Sequence, residues 1–239
     1  MRSPLVLVGH GSRDPRSAAT LHRLAERVRA GLPKVDVRLC FLELSVPNVE
    51  HVLSGLDGPV VVVPLLLGDA YHARTDLPDR VRHALARHDR LSVRIAATLG
   101  ADAALADAAA HRAGRAPSCD GWILAATGSS YGPANAAVVE TATDLSRRLR
   151  RRVRAGFVTA TPEIAAAWAD LRDAGCAEIG VLPWFLAPGR LLDRAEAQAA
   201  ALGVTTVAAP LADDTATARA VLARYAGGAG HWMSARASG

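Results

Sequence analysis

Two histidines and one glutamate follow apolar runs that are typical of buried strands. His10 comes directly after LVLVG, Glu43 directly after RLCFL, and His72 a few residues after VVVVPLLLG. Side chains that follow parallel strands meet at the carboxyl edge of the sheet, where open α/β proteins bind their ligands. Imidazole nitrogens and a carboxylate suit a divalent first-row metal and leave positions open for a substrate. The three residues therefore predict a metal site whose ligands can also accept protons.

Each residue also has an ordinary structural interpretation when it is taken alone. A histidine after a strand is often a loop residue, and a carboxylate at a strand end commonly caps the next helix. The interpretation as a site depends on all three lying together.

The elements that must position these residues are strands alternating with amphipathic helices, a pattern that favours an α/β fold with parallel sheets. The predicted strands are PLVLVGH, VDVRLCFLE, PVVVVPLLL, SVRIAATL, GWILAATG, RVRAGFVTA, EIGVLPWFL and VTTVAAPL. The predicted helices are 15–30, 48–54, 76–88, 102–113, 133–152, 162–174, 191–202 and 213–225.

The chain contains an internal repeat, which predicts two similar domains at 1–115 and 116–239. LVGHGSRDP aligns with LAATGSSYGP at an offset of 117 residues, and three further blocks follow in the same order at offsets of 116, 119 and 112. Such a near-constant offset indicates duplication. Each domain is expected to hold a roughly four-stranded parallel sheet flanked by helices, and the site is expected in a cleft between the domains.

The two repeats differ at the residues whose side chains could bind a metal or transfer a proton. Opposite His10, Glu43 and His72, the second repeat has Thr127, Thr159 and Leu191. Duplicated halves share what the fold requires, so residues that are confined to one half point to function. We therefore predict that the N-terminal domain carries the chemistry.

Composition excludes several classes of protein. Half of the 239 residues are hydrophobic, the net charge is +5, and the three cysteines form no CxxC pair. No apolar run approaches the roughly 20 residues of a transmembrane helix, and the first residues lack a signal-peptide pattern. We expect a cytoplasmic protein without a membrane or nucleic-acid partner, because few aromatic residues are available to stack on bases. The GHGSR loop also lacks the features of a P-loop or dinucleotide fingerprint, and no GxSxG motif is present.

The motifs VGHGSRDPRS, FLELSVPNV and VVPLLLGDAYHARTDLP resemble those of the CbiX/SirB family of sirohydrochlorin chelatases, and the resemblance covers essentially the whole chain. It implies two chelatase-like domains and insertion of Co²⁺ or Fe²⁺ into a tetrapyrrole, with the metal as substrate and no tightly bound cofactor. His10 and His72 would be the metal-binding and catalytic histidines, with Glu43 beside them.

Sirohydrochlorin is an anionic tetrapyrrole, so it would complement the net positive charge of the chain. Candidate contacts for its carboxylates flank the motifs, namely Ser12, Arg13, Arg74, Ser129, Ser130 and Arg190. A monomer is expected, because one chain already contains both repeats. The alternative that stays open is a carrier that binds a metal or a tetrapyrrole without catalysing insertion.

Overall fold

The computed structural model describes residues 2–68, 75–100, 102–227 and 232–234. In these ranges, strands and helices alternate along nearly the whole chain. The strands are β1 (Leu5–Gly9), β2 (Val37–Phe41), β3 (Gly58–Pro64), β4 (Leu91–Ile95), β5 (Gly121–Ala126), β6 (Arg152–Phe157), β7 (Ile179–Pro183), β8 (Thr206–Val207) and β9 (Trp232–Ser234). The helices are α1 (Pro15–Gly31), α2 (Val49–Ser54), α3 (Leu77–Leu85), α4 (Ala103–Gly114), α5 (Gly132–Leu149), α6 (Ile164–Asp173), α7 (Arg190–Ala200) and α8 (Thr215–Ala226).

Two sheets organise the protein, and each has its own buried core. The first has the strand order β2-β1-β3-β4-β9 and the second β6-β5-β7-β8. All pairs are parallel except β4 with β9. Every residue of β1 and of β5 is buried, as expected for central strands that are covered on both faces.

Side-chain caps fix where several helices begin. The carboxylate of Asp14 accepts the backbone N–H of Arg16 at the start of α1, and Asp102 accepts that of Ala104 at the start of α4. These bonds satisfy N–H groups that have no partner inside the helix. The aspartates that precede α1 and α4 thus set the points where the chain turns away from the sheet.

The chain divides into two compact units, and each unit contains a helix from the other repeat. Unit 1 is Met1–Gly100 with Thr217–Gly239, and unit 2 is Ala101–Ala216. Helix α4 of the first repeat therefore lies in unit 2, and α8 of the second repeat lies from Thr217 onward in unit 1. The predicted domain boundaries, 1–115 and 116–239, describe the repeat in the sequence and stay a prediction.

Arginines at matching positions of the two repeats bind α4 to unit 2 and α8 to unit 1. Arg112 of α4 donates from Nη2 to the carbonyl of Pro210 over 3.2 Å in unit 2. Arg224 of α8 donates from Nε to the carbonyl of Thr98 over 2.9 Å in unit 1. Both arginines and both carbonyls stand 112 residues apart, so the contact is itself part of the repeat.

The predicted α/β fold is confirmed, and each predicted strand and helix has an observed counterpart. The strand that was not predicted is β9, which extends the first sheet to five strands by pairing antiparallel with β4. Within the described ranges, no helix is both long enough and apolar enough to cross a membrane.

Candidate functional site

His10 and Glu43 lie side by side at the carboxyl edge of the first sheet. Strands β1 and β2 are parallel neighbours in which Gly9 pairs with Phe41. The pairing continues past the strands, because the N–H of Leu42 donates to the carbonyl of Gly9 and the N–H of Glu43 to that of His10. This register brings Nε2 of His10 to 3.6 Å from Oε1 of Glu43.

The hydrogen bond on the other ring nitrogen favours one tautomer of His10. Nδ1 lies 3.1 Å from the carbonyl oxygen of Gly11. A carbonyl can only accept, so Nδ1 is the protonated nitrogen in the neutral ring and Nε2 carries the lone pair. That lone pair belongs to the nitrogen nearest Glu43, and the two side chains are 41% and 44% exposed, so both can reach a ligand.

Gly11 allows the two loops to approach so closely. Its φ is +94°, and a Cβ atom there would lie 1.7 Å from the carbonyl oxygen of Glu43. No larger residue fits unless the backbone moves.

Ser45 joins the same two loops and was not identified from the sequence. Its Oγ accepts the N–H of Ser12 over 3.1 Å and donates to the carbonyl of Ser12 over 3.0 Å. A serine in a loop is unremarkable by itself. The usable signal was its position two residues after Glu43, within the repeat that carries the chemistry.

The second repeat keeps the backbone hydrogen bond between these two loops without the titratable side chains. The N–H of Thr159 donates to the carbonyl of Thr127 over 2.9 Å, as the N–H of Glu43 does to that of His10. Its hydroxyl donates to the same carbonyl over 2.8 Å. Ser129 is held by Asn135 of α5, whose side chain accepts its N–H and donates to its carbonyl. The two repeats thus share a scaffold and differ in chemistry.

Ser12 and Ser129 occupy matching turns. The hydroxyl of Ser12 accepts the N–H of Asp14, and that of Ser129 accepts the N–H of Tyr131. Each hydroxyl keeps its own proton for donation to a ligand.

The remaining predicted site residues fall into two groups. Arg13, Ser130 and Arg190 are exposed and make no side-chain hydrogen bond or ion pair within the described ranges. His72 and Arg74 lie outside the described residues, so their predicted roles stay predictions.

The His10 and Glu43 pair has a spacing suited to metal binding. First-row metals lie about 2.0–2.2 Å from nitrogen and oxygen ligands. Two donors 3.6 Å apart therefore meet at one ion with an angle of about 120°. No cluster of three or more His, Cys, Asp or Glu side chains occurs within the described part of the chain. A third protein ligand would have to come from beyond it, which is where His72 lies.

An ion-pair cluster in unit 1 lies just after the segment that contains His72. Arg80 of α3 reaches Asp76 over 2.9 Å and Glu50 of α2 over 3.2 Å. Partial burial tends to lower the pKa of Arg80, but the charges of Asp76 and Glu50 outweigh it and raise the pKa. The cluster joins α2 to α3.

A separate cavity of about 210 Å³ lies in unit 2. It contains none of the predicted site residues. Its lining comes from the end of α4 and from β8 with the residues that follow, namely Arg112, Arg115, Ala116, Thr206, Val207, Ala208 and Ala209.

Comparison with known proteins gives consistent matches. Residues 4–116 and 121–227 each match the CbiX family model. A sirohydrochlorin ferrochelatase from Bacillus subtilis is 29% identical over 119 residues, which is 47% of this chain and 44% of that protein. A sirohydrochlorin cobaltochelatase from Methanopyrus kandleri is 38% identical over 79 residues, 31% of this chain and 54% of that protein. The chain thus spans about half the length of the curated relatives that it matches.

Solved structures agree in fold. The sirohydrochlorin chelatase SirB from Bacillus subtilis subspecies spizizenii, solved in complex with cobalt, superposes with a TM-score of 0.78 at 21% identity. The match covers 95% of this chain and 94% of that one. SirB from Bacillus subtilis with Fe³⁺ gives the same TM-score at 22% identity, covering 94% of each chain. Because the family model matches almost the whole sequence in two consecutive copies, the chain belongs to the CbiX family.

Proposed function

We propose that this chain is a sirohydrochlorin chelatase, a lyase that inserts Co²⁺ or Fe²⁺ into sirohydrochlorin and releases two protons. The product would serve cobalamin biosynthesis with cobalt or sirohaem biosynthesis with iron. Family membership and the names of the relatives support the substrate class. The observation that carries the proposal is the pair of His10 and Glu43, 3.6 Å apart at the edge of the first sheet and absent from the second repeat.

Metal insertion needs groups that hold a cation loosely and groups that accept the pyrrole protons. In the proposed mechanism, Nε2 of His10 binds the incoming metal or takes a proton, since it carries the lone pair while Nδ1 donates to the carbonyl of Gly11. Glu43 adds negative charge that favours the cation, and its carboxylate accepts a proton as the metal leaves. His72 is proposed as the third member of this set, in the N-terminal repeat.

The same proposal assigns the substrate carboxylates to the polar residues that flank the motifs. Guanidinium groups bind carboxylates through paired N–H donors. The exposed arginines and serine already described have donors available, and the hydroxyls of Ser12 and Ser129 each retain a proton. The proposed contacts are Ser12, Arg13, Arg74, Ser129, Ser130 and Arg190.

The test is the insertion rate, followed by the change in absorbance of metal-free sirohydrochlorin with Co²⁺ or, without oxygen, Fe²⁺. Wild-type protein should exceed the protein-free rate with at least one metal. His10→Ala and His72→Ala should each lower the rate by about 10²- to 10⁴-fold, as expected for a positioned acid, base or ligand. Thr127→Ala and Leu191→Ala, at the matching positions of the second repeat, should stay near the wild-type rate.

Two outcomes would change the assignment. A wild-type rate equal to the protein-free rate, with tight binding of sirohydrochlorin or metal, would identify a carrier. Equal losses at His10 and Thr127, with unchanged thermal melts, would mean that both repeats contribute chemistry.

The proposal includes a cytoplasmic monomer. Cys40, Cys119 and Cys176 are all buried free thiols, which suits a reducing compartment. One chain holds both repeats, so no second copy is needed to supply the other. Sedimentation equilibrium should give the mass of one chain, and an obligate dimer would refute this part.

A further inference from the structure

The loop after β2 has a backbone that the second repeat does not share. The N–H of Ser45 donates to the carbonyl of Glu43 over 2.7 Å, and Leu44 between them has a φ of 58°. A hydrogen bond between residues two apart around a positive φ marks a classic γ-turn, which is rare and strained. Ala160, at the matching position, is not among the residues of positive φ.

The same loop is one residue longer in the first repeat. Phe41 bridges to Asn48, whereas the matching Phe157 bridges to Glu163. The extra residue and the γ-turn lie directly beside Glu43. The first repeat therefore has backbone strain beside its titratable Glu43, and strain at such a place often serves function.

Two large apolar side chains occupy this loop and face solvent. Leu44 is 53% exposed and Val46 is 85% exposed. At the matching part of the second repeat are the small Ala160 and the polar Thr161. Aliphatic groups this exposed contribute little to the core, and they are available for contact with an apolar ligand surface.

We propose that Leu44 and Val46 form an apolar seat for one face of the tetrapyrrole macrocycle, holding its nitrogen-lined centre beside His10 and Glu43. This inference rests on the proposed function and names the residues that orient its larger substrate. The macrocycle is a flat apolar surface ringed by carboxylates, so aliphatic contact at its face complements polar contacts at its rim. Such contact also leaves the nitrogen and oxygen donors of the site available to the metal.

Ser45 makes the seat rigid. It lies between the two apolar residues and is held at both N–H and carbonyl of Ser12 through its Oγ. The seat is therefore joined to the loop that carries His10. A macrocycle resting on it takes a fixed position relative to Nε2, which is what insertion of a metal requires.

The test uses substitutions that change polarity while keeping size and backbone. Leu44→Asn introduces an amide at a residue type that tolerates a positive φ, and Val46→Thr is nearly isosteric. Each should raise the KM for sirohydrochlorin by about three- to tenfold, the effect of losing apolar contact from one side chain. The Kd for Co²⁺, measured by calorimetry without tetrapyrrole, should stay within about twofold of the wild-type value, because the metal donors are untouched.

Control variants separate binding from folding. Val139→Thr changes a valine of α5 that is 43% exposed, and it should leave the KM unchanged. Leu44→Gly relieves the strained φ, so its melting temperature should not fall although its KM rises.

An unchanged KM in Leu44→Asn and Val46→Thr, in an active enzyme, would refute the seat. A loss of Co²⁺ affinity equal to the loss of sirohydrochlorin affinity would refute it too, because the loop would then act on the metal. If wild-type protein inserts no metal, the proposed function fails, and the seat is judged by direct titration of sirohydrochlorin fluorescence. Equal affinities of wild type and variants in that titration would refute it.

Discussion

A Cβ atom at Gly11 would overlap the backbone carbonyl of Glu43, at a separation of 1.7 Å. The matching Gly128 is less crowded, since a Cβ there would lie 2.8 Å from the side chain of Ala160. Two loops are therefore in backbone contact at the proposed site and in looser contact at its counterpart. Substituting each glycine by alanine would measure this difference in crowding.

Gly11→Ala should lower the free energy of unfolding by about 2–4 kcal/mol, because both the overlap and the positive φ oppose the added methyl group. It should also abolish most insertion by separating His10 from Glu43. Gly128→Ala should cost less stability. Gly132→Ala is the control, since no atom lies within 4 Å of a Cβ there. Denaturant unfolding measures the free energy of unfolding of the three variants and so ranks them. Equal losses of stability at positions 11 and 132 would contradict the prediction.

Glu43→Gln should separate activity from stability. A contact between side chains this exposed contributes about 0–1 kcal/mol. The variant should thus melt near the wild-type temperature while insertion falls by about 10²-fold or more. Thr159→Ala is the matched change in the second repeat and should retain activity. A large loss of stability in Glu43→Gln with normal kcat would assign this carboxylate a structural role.

Ser45→Ala should weaken the connection between the two loops. It removes both hydrogen bonds to the backbone of Ser12, at a cost of about 1–2 kcal/mol. Because Ser45 positions the loops without touching the reacting atoms, Ser45→Thr should restore most of the activity. Asn135→Ala removes the equivalent bonds of Ser129 in the second repeat and should lower stability with a smaller effect on kcat. Identical kcat losses in the two alanine variants would count against the assignment.

Cys40 should be unreactive in the folded protein. Burial, with a smaller contribution from the charge of Glu50, raises the pKa of the thiol to about 12. Iodoacetamide at pH 8 should therefore label it only after unfolding, since the thiolate is the reactive form. The unfolded thiol ionises with an ordinary pKa, so stability should fall as the pH rises from about 9 towards 12. Cys40→Ala should show a shallower fall, and equal slopes for variant and wild type would exclude this cause.

The order of strands and helices was predictable because each element carries a local pattern and the repeat supplies it twice. Strand β9 was not, since three residues have too little pattern and their pairing with β4 depends on the finished sheet. The crosswise placement of α4 and α8 was equally hidden. A sequence repeat gives the order of helices along the chain and says nothing of the unit against which each packs.

The neighbourhood of His10 and Glu43 followed from parallel strands ending at one edge. The contacts that hold it did not, because the closeness of Gly11 to Glu43 and the bonds of Ser45 to Ser12 depend on backbone geometry. The γ-turn at Leu44 was unpredictable for the same reason, since leucine has no preference for positive φ.

Helix α8 has a consequence for synthesis on the ribosome. It completes unit 1 through late residues: Tyr225 donates from its hydroxyl to the carbonyl of Ser3, Arg224 binds the carbonyl of Thr98, and Leu222 lies against Gly31. Strands β1 to β4 of unit 1 emerge more than a hundred residues before α8. The first half of the nascent chain therefore waits with part of its apolar surface uncovered until α8 is made, a period in which chaperone binding would be most useful.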